Sequence, residues 1–233
     1  MSERKTSVIV GGSSGIGFAV AAALAARGEK VVLTSRDAGR AAAAAHKIGG
    51  DAVGLALDLA EPQTIAERLA GVATVDHLAI PAIERDRNSV KDYNVAGAVR
   101  LATIKLVGYV EAIHALLPRF SGGASVVLFG GQARERPYPG STTVTAINGA
   151  VTTMVRNLAY ELPALRFNAI HPGVVVDTPA WAGNSVVLDR TRSQTPGGRL
   201  VTTADCVAAT LFLLDNASMN GANLVIDSAW GLA

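Results

Sequence analysis

The stretch "VIVGGSSGIG" ends an apolar run and contains Gly11, Gly15 and Gly17, with Ser13 and Ser14 between them. Glycine lets the backbone turn tightly and approach a phosphate, and the N-terminus of a following helix presents free N–H groups to an anion. The serines add hydroxyl donors. An ordinary turn between a strand and a helix could also hold these glycines. Because the loop directly follows the first apolar strand, we expect it to bind the pyrophosphate of a dinucleotide.

A second candidate for chemistry is Lys105, the one charged residue in the apolar stretch "LATIKLVGYV". A buried lysine is costly unless it meets an anion, a carbonyl group or water. Burial also lowers the pKa of a lysine, which can then act as a proton donor near neutral pH. The alternative is a side chain that reaches the surface or a subunit interface.

The elements that position these residues alternate along the chain. Short runs rich in Val, Ile and Leu predict strands at 7–11, 30–35, 52–58, 75–80, 124–130, 165–170 and 222–227. Helical patterns lie between them at about 15–27, 38–47, 62–70, 97–117, 143–162 and 203–215. This alternation predicts one α/β domain over residues 1–233, in which helices cover both faces of a parallel sheet of about seven strands.

The stretch 178–200 has weak periodicity and is longer than a normal connection between a strand and a helix. It follows the end of a predicted strand, where open α/β sheets bind ligands. We therefore predict a substrate-type loop at about 178–200.

Composition excludes several classes of function. The net charge of +2 comes without a run of Lys and Arg, which argues against nucleic acid as a partner. No uninterrupted apolar run approaches the roughly 20 residues that span a membrane. Cys206 is the only cysteine, and the four histidines lack metal-ligand spacing, so we predict neither a disulfide nor a metal site. These features indicate a cytoplasmic protein that acts on a small molecule.

At the glycine loop the chain resembles the short-chain dehydrogenase/reductase family. The family fingerprint T-G-x-x-x-G-x-G corresponds to Val10-Gly11-Gly12-Ser13-Ser14-Gly15-Ile16-Gly17, in which only the threonine differs. The segments "DHLAI", "LFGG", "LRFNAIHPGVVVDTP" and "MNGANLVIDSAWG" extend the resemblance along the whole chain. The resemblance implies a Rossmann fold with a doubly wound sheet, a nicotinamide cofactor and hydride transfer.

The end of the second strand, "LTSRD", bears on the choice of nicotinamide. Ser35 stands where an NAD enzyme needs a carboxylate for the ribose, and Arg36 follows it. A guanidinium suits the 2′-phosphate of NADP, so we predict NADP(H) as the cofactor. The alternative is that Arg36 is a solvated charge that Asp37 neutralises.

The resemblance implies the remaining cofactor contacts. Asp58 and Leu59 would bracket the adenine, although Asp58 could instead cap the next helix. Pro172, Gly173, Val174 and Thr178 would line the nicotinamide side, where backbone groups at 172–174 meet the carboxamide.

The family's active site consists of Asn, Ser, Tyr and Lys, and this chain departs from each. The Y-x-x-x-K motif falls on Val144 and Asn148, the serine on Gly131 and the asparagine on Lys105. The alternative placement of the asparagine on Asn94 puts it too close to the fourth strand. In the family fold the position of Lys105 faces the active site, so Lys105 could replace the missing cation or act as the acid.

Other candidates for catalysis are weaker. Tyr138 is the nearest phenol, but it lies between prolines and could simply be packed. Thr142 and its neighbours Thr143 and Thr145 could offer a hydroxyl to the substrate or cap a helix. Asn148 could hydrogen-bond the ribose. The catalytic candidates are therefore Lys105, Tyr138, Thr142 and Asn148.

Three functions fit these observations. The first is an oxidoreductase that binds NADP(H) and acts on a small organic substrate, such as an iminium or an activated alkene, through a non-standard site. The second is a catalytically inactive NADP-binding sensor or partner subunit, and the third is a non-redox enzyme on the same scaffold. The helices at 97–117 and 143–162 and the segment "AWGLA" predict a homo-oligomer, either a dimer or a tetramer.

Overall fold

Seven strands form one parallel sheet in a computed structural model that describes residues 4–232. Residues 1–3 and 233, which belong to the predicted domain and in part to the segment "AWGLA", lie outside the described residues. The strands are β1 (Thr6–Ile9), β2 (Lys30–Ser35), β3 (Val53–Ala56), β4 (Val75–Ile80), β5 (Phe120–Phe129), β6 (Arg166–Pro172) and β7 (Asn223–Ile226). Every predicted strand is present, within a few residues of its predicted bounds.

The strand order is β3-β2-β1-β4-β5-β6-β7. The chain moves outward from β1 to β3, returns to the centre with β4 and then moves outward the other way. This reversal between β1 and β4 opens a crevice at the carboxyl ends of the two strands, which is where doubly wound sheets bind nucleotides. The prediction of a doubly wound Rossmann fold is confirmed.

Helices connect the strands. They are α1 (Gly15–Ala26), α2 (Ala38–Ile48), α3 (Pro62–Arg68), α4 (Val95–Ala102), α5 (Tyr109–Leu116), α6 (Thr142–Glu161), α7 (Ser185–Ser193) and α8 (Thr203–Asp215). A π-helical segment, Thr103–Gly108, joins α4 to α5. Short 3-10 turns lie at Leu117–Arg119, Gln132–Arg134, Pro196–Gly198 and Trp230–Leu232.

Two predictions about the helices need correction. The helix expected at 97–117 begins at Val95 and is interrupted by the π segment, which a pattern of apolar residues does not reveal. The stretch 178–200 is not only a loop, because it contains α7. Only Thr191 of α7 is buried, so this helix lacks the apolar face that would have predicted it.

The core is divided by the sheet into two apolar layers. One layer includes Ile65 of α3, Ile113 of α5 and Val151 of α6. The other includes Leu24 of α1 and residues of α2 and α8. Both layers pack on the apolar strands, so helices cover the sheet on both faces as predicted.

One helical stretch in residues 4–232, Val95–Arg119, is long and apolar enough by composition to cross a membrane, with a mean hydropathy of 1.3 in its most apolar window. It packs on the sheet through Ile104, Tyr109 and Ile113, and 44% of that window is buried. These contacts are those of a core helix, which passes the same test of composition.

Candidate active site and nucleotide crevice

The glycine loop joins β1 to α1 and is held by close contacts between its own backbone atoms. Gly11 has a φ of +92°, in the region that favours glycine. A Cβ atom on Gly17 would lie 2.2 Å from the carbonyl oxygen of Gly11. Only a glycine at position 17 therefore allows α1 to start this close to the end of β1.

The first turn of α1 leaves its N–H groups free of side-chain partners. Ser14 is the N-cap residue, but its side chain makes no capping hydrogen bond, and the first turn contains no acidic residue. The unoccupied donors and the helix dipole favour an anion at this point. The loop and α1 thus form the cradle that a pyrophosphate needs.

A cavity of about 370 Å³, called here the nucleotide crevice, opens from this cradle. It lies at the carboxyl ends of the central strands. The predicted cofactor residues that line it are Gly11, Ser13, Ser14, Gly15, Ile16, Gly17, Ser35, Arg36, Asp58, Leu59 and Thr178. Another cavity, of about 330 Å³, lies between Arg4, Phe18 and Lys47, and no predicted site residue lines it.

The end of β2 presents the groups predicted to choose between NAD and NADP. Ser35 is buried, and its hydroxyl accepts a hydrogen bond from the backbone N–H of Asp37 at 3.4 Å. The Arg36 guanidinium donates to Glu84 at 3.0 Å. Asp37 caps α2 by accepting from the N–H of Arg40, so Glu84 rather than Asp37 is the carboxylate that pairs with Arg36.

Glu84 belongs to a network of charges along one wall of the nucleotide crevice. Arg100 donates to Glu84 at 3.0 Å and to Asp58 at 3.0 Å. The hydrogen bond that Arg100 donates to Asp58, followed by the one that it donates to Glu84, raises the pKa of Arg100. The alternative role of Asp58 as the cap of α3 is wrong, because Glu61 is the N-cap residue of that helix.

A smaller cavity of about 160 Å³, called here the substrate cavity, adjoins the nucleotide crevice. Ile16 and Thr178 line both spaces. Lys105, Tyr138 and Asn148 line the substrate cavity, and so do the predicted nicotinamide-side residues Pro172, Gly173 and Val174. The fold therefore places every predicted cofactor residue on one of two adjoining cavities, and three of the four catalytic candidates on the second.

Lys105 lies in the π segment and is 1% exposed. Its Nζ donates to the carbonyl oxygen of Phe129 at 2.6 Å and to Oδ1 of Asn148 at 3.3 Å. The ring of Tyr109 lies beside it, 5.6 Å from Nζ. Both hydrogen-bond partners are uncharged, so burial lowers the pKa of Lys105 to about 7.

Asn148 fills the space beside Gly131. A Cβ atom on Gly131 would lie 2.9 Å from Nδ2 of Asn148. The side chain of Asn148 is 3% exposed, so it has little room to move away. A side chain at position 131 would therefore clash with Asn148, and the glycine there leaves room for it.

His171 packs against the same strand ends in its neutral form. The N–H of Gly131 donates to Nδ1 of His171 at 3.3 Å, so Nε2 carries the proton and donates to Oδ1 of Asn223 at 2.8 Å. Burial lowers the pKa of His171 to about 4, and the hydrogen bond that His171 donates to Asn223 acts in the opposite direction. His171 thus positions the loop after β5.

Thr142 does not reach either cavity. It begins α6 with an exposed side chain. Unlike the other three catalytic candidates, Thr142 does not line the substrate cavity that holds Lys105. The hydroxyl of its neighbour Thr145 donates to the carbonyl oxygen of Ala133, which is a structural role. Tyr138 is 49% exposed and stays at the mouth of the substrate cavity.

Several residues of the substrate cavity were not predicted from the sequence. They are Arg85, Asp86, Gln132, Trp181 and Trp230. The charged stretch "ERDRN" looks like a solvated loop, although it contains Arg85 and Asp86. Trp181 and Trp230 are the only tryptophans in the chain, and each follows a predicted strand. Their position was the signal in the sequence that could have indicated this cavity.

Comparisons with known proteins agree on one family. The family model described as "Enoyl-(Acyl carrier protein) reductase" matches residues 10–230. The 2-(S)-hydroxypropyl-CoM dehydrogenase 3 of Xanthobacter autotrophicus is 30% identical, over 94% of this chain and 93% of its own.

Solved structures agree as well. A short chain dehydrogenase/reductase family protein superimposes with a TM-score of 0.88 at 28% identity, covering 99% of each chain. A small-chain dehydrogenase in complex with NADPH has a TM-score of 0.85 at 26% identity, covering 99% of this chain and 100% of its own.

Proposed function

The chain belongs to the short-chain dehydrogenase/reductase family of oxidoreductases, and on that premise we propose that it uses NADP(H) to reduce or oxidise a small organic substrate through a non-standard active site. The observation that carries this proposal is the pair of adjoining cavities with Lys105 at the base of the second. The crevice opens from the glycine loop, as a dinucleotide site would, and the buried lysine gives the adjoining cavity a titratable group.

NADP(H) is supported by the groups at the end of β2. Arg36 and Arg40 both line the nucleotide crevice beside Ser35. The 2′-phosphate would compete with Glu84 for the Arg36 guanidinium, and bidentate hydrogen bonding to a phosphate favours the exchange. The structural relative that holds NADPH is consistent with this choice.

The nicotinamide of bound NADP(H) supplies or accepts the hydride. The chain's own residues position the substrate and donate or accept its proton. The helix start at Gly15 holds phosphate, and Ile16 and Thr178 lie where the two cavities meet. Lys105, whose pKa is about 7, can hold or release a proton at Nζ close to neutral pH.

A second candidate function is an NADP-binding protein without turnover. Val144, at the position of the family's tyrosine in the motif alignment, packs with Leu101 and Ile147 in a small apolar cluster. An apolar cluster at this point supplies no acid to a carbonyl substrate. This observation favours a sensor or partner subunit if Lys105 does not act in catalysis.

We propose in addition that the protein is a homo-oligomer. Val95 is 62% exposed and Val99 is 59% exposed, one turn apart on α4. Exposed valines in adjacent turns of one helix form an apolar stripe, which a second copy can cover.

The test of the proposed function measures binding and turnover separately. NADPH and NADH are titrated against the wild type and Lys105→Ala by nucleotide fluorescence, and oxidation of NADPH is then followed with carbonyl, imine and enone substrates. We expect NADPH to bind both proteins, and we expect turnover of the carbonyl substrates, which need a proton, to require Lys105. Binding without turnover on every substrate class would support the sensor, and absence of nucleotide binding would overturn both candidates.

A further inference from the structure

Four polar atoms of the substrate cavity are buried and have no hydrogen-bond partner among the described residues. They are both carboxylate oxygens of Asp86, Oε1 of Gln132 and Nε1 of Trp230. All three residues line the cavity. Buried polar atoms of folded proteins are nearly always paired, so a group of them around one cavity indicates what the cavity has to hold.

Three of these four atoms accept hydrogen bonds. The orientation of the Gln132 amide is fixed because its Nε2 donates to the carboxylate of Asp227 at 2.7 Å. A carboxylate accepts but does not donate, so Oε1 of Gln132 has to face the other way, as an acceptor. Gln132 is 4% exposed, which keeps it in this orientation. The acceptors therefore outnumber the single donor, the indole N–H of Trp230.

The negative charge of Asp86 is not neutralised by its basic neighbours. Arg85, the adjacent residue, instead stacks on the ring of Trp181, with its guanidinium carbon 4.4 Å from the ring centroid. Lys105 is held by Phe129 and Asn148. Among residues 4–232, Asp86 forms no ion pair within 4.0 Å. A ligand that displaces water from this cavity has to return donors, or a positive charge, to Asp86.

On the basis of the proposed function, we propose that the substrate carries a cationic nitrogen, an iminium or a protonated amine, which Asp86 holds through its charge. Oε1 of Gln132 accepts from an N–H of the substrate where there is one. Lys105 and Arg85 also line the cavity, and they are the groups that oppose a cation there. Burial lowers the pKa of Lys105 to about 7, so a fraction of Lys105 is uncharged near neutral pH, and the Arg85 guanidinium lies over the ring of Trp181. The carboxylate of Asp86, which has no partner among the described residues, is the group left to hold a cation.

An iminium substrate also suits a site without a tyrosine. In its reduction, a hydride adds to the carbon of the C=N⁺ bond, and the π electrons move to nitrogen, which becomes a neutral amine. The nicotinamide supplies the hydride and is oxidised. The step needs no proton from the protein, whereas reduction of a carbonyl leaves an alkoxide that does.

The experiment measures binding through the intrinsic fluorescence of the tryptophans, since both tryptophans of the chain line the substrate cavity. The probes are 2-methyl-3,4-dihydroisoquinolinium, a permanently cationic iminium, and 1-tetralone, a neutral carbonyl compound of similar size. They are titrated against the wild type, Asp86→Asn, Asp86→Glu and the control Asp92→Asn. Asp92 is an exposed aspartate in the same connection between β4 and α4.

We expect the wild type and Asp92→Asn to bind the iminium at least ten times more tightly than the ketone. Asp86→Asn should lose this preference, and Asp86→Glu, which keeps the charge, should retain part of it. An undiminished preference in Asp86→Asn, or no preference in the wild type, would overturn the proposal. NADPH fluorescence in the same samples separates the two proposals, because failure of NADPH to bind would defeat the proposed function and not the charge of the cavity.

Discussion

Nζ of Lys105 in the π segment lies 3.3 Å from Oδ1 of Asn148 on α6, and the two side chains meet in a buried contact at the base of the substrate cavity. In the motif alignment, the family has asparagine at the first position and lysine at the second. One lysine and one amide are therefore in contact between the π segment and α6. Lys105 also donates to the carbonyl oxygen of Phe129, at the end of β5.

This buried contact predicts a strong energetic coupling between positions 105 and 148. Asn148→Lys alone places two lysines in one buried site and should destabilise the protein, whereas Lys105→Asn alone leaves two amides. The double variant restores one lysine and one amide, so it should be more stable than the two single effects predict, by about 1–3 kcal/mol. Urea denaturation of the four proteins measures this coupling. Additive effects would show that the two side chains act independently.

The lowered pKa of Lys105 predicts how stability depends on pH. Burial lowers this pKa from 10.5 to about 7 in the folded protein. Between these values the unfolded chain binds more protons than the folded chain, so the free energy of unfolding should rise with pH across this window. Lys105→Met removes the effect and should flatten the curve. Denaturation at several pH values checks the slope, and equal slopes in both proteins would show that Lys105 is charged when folded.

The charge network in the nucleotide crevice predicts cofactor preference. Arg36→Ala should lower the affinity for NADPH by about tenfold or more, since a charge-assisted hydrogen bond contributes about 1.5–3 kcal/mol. The affinity for NADH should change less. Glu84→Gln removes the carboxylate that pairs with the Arg36 guanidinium and should raise the affinity for NADPH. Fluorescence titrations give the dissociation constants of NADPH and NADH for the wild type and each variant, with Arg68→Ala on α3 as an exposed arginine control. An equal loss of affinity for NADPH and NADH in Arg36→Ala would show that Arg36 does not recognise the 2′-phosphate.

Substitutions of two glycines of the loop, Gly17 and Gly15, should have different effects, one mainly on stability and the other mainly on nucleotide binding. Gly17→Ala brings a Cβ within 2.2 Å of a backbone oxygen and should destabilise the fold by about 1–3 kcal/mol. Gly15 has a φ of +53°, but the nearest atom to an added Cβ is 3.7 Å away. Gly15→Ala should therefore fold at a cost of about 1–2 kcal/mol and lose nucleotide affinity, because the methyl group enters the crevice. Thermal denaturation and NADPH titration separate the two results.

The control for this pair is Gly71→Ala, since no atom lies within 4 Å of a Cβ added there. It should change neither stability nor binding. If Gly15→Ala bound NADPH as tightly as the control, the loop would not hold the pyrophosphate in the way proposed.

The sequence predicted the fold closely because apolar strands and a glycine loop are local patterns. The cofactor residues were also within reach, since they follow strand ends at spacings that the sheet brings together. Asp86 and Gln132 could not be found in this way. Their importance depends on which partners they lack in three dimensions, and no local pattern records a missing partner.

The π segment could not be predicted from the sequence either. Lys105 was singled out because it is a charge among apolar residues, but its contact with Phe129 depends on the wider turn at Thr103–Gly108. Gly108 belongs to the same segment, and a Cβ there would lie 2.3 Å from the carbonyl oxygen of Leu59. The close approach of this helix to the nucleotide crevice is a tertiary contact, which residue spacing alone does not reveal.

The apolar stripe on α4 predicts the oligomeric state. Val99→Lys places a charge beside Val95 and should break an interface that covers both residues. We expect a dimer or tetramer for the wild type and a smaller species for Val99→Lys, measured by size-exclusion chromatography with light scattering. Val186→Lys on α7 is the matched control, because Val186 is 78% exposed but lies on a different helix. If Val99→Lys and the wild type had the same mass, the interface would have to lie elsewhere.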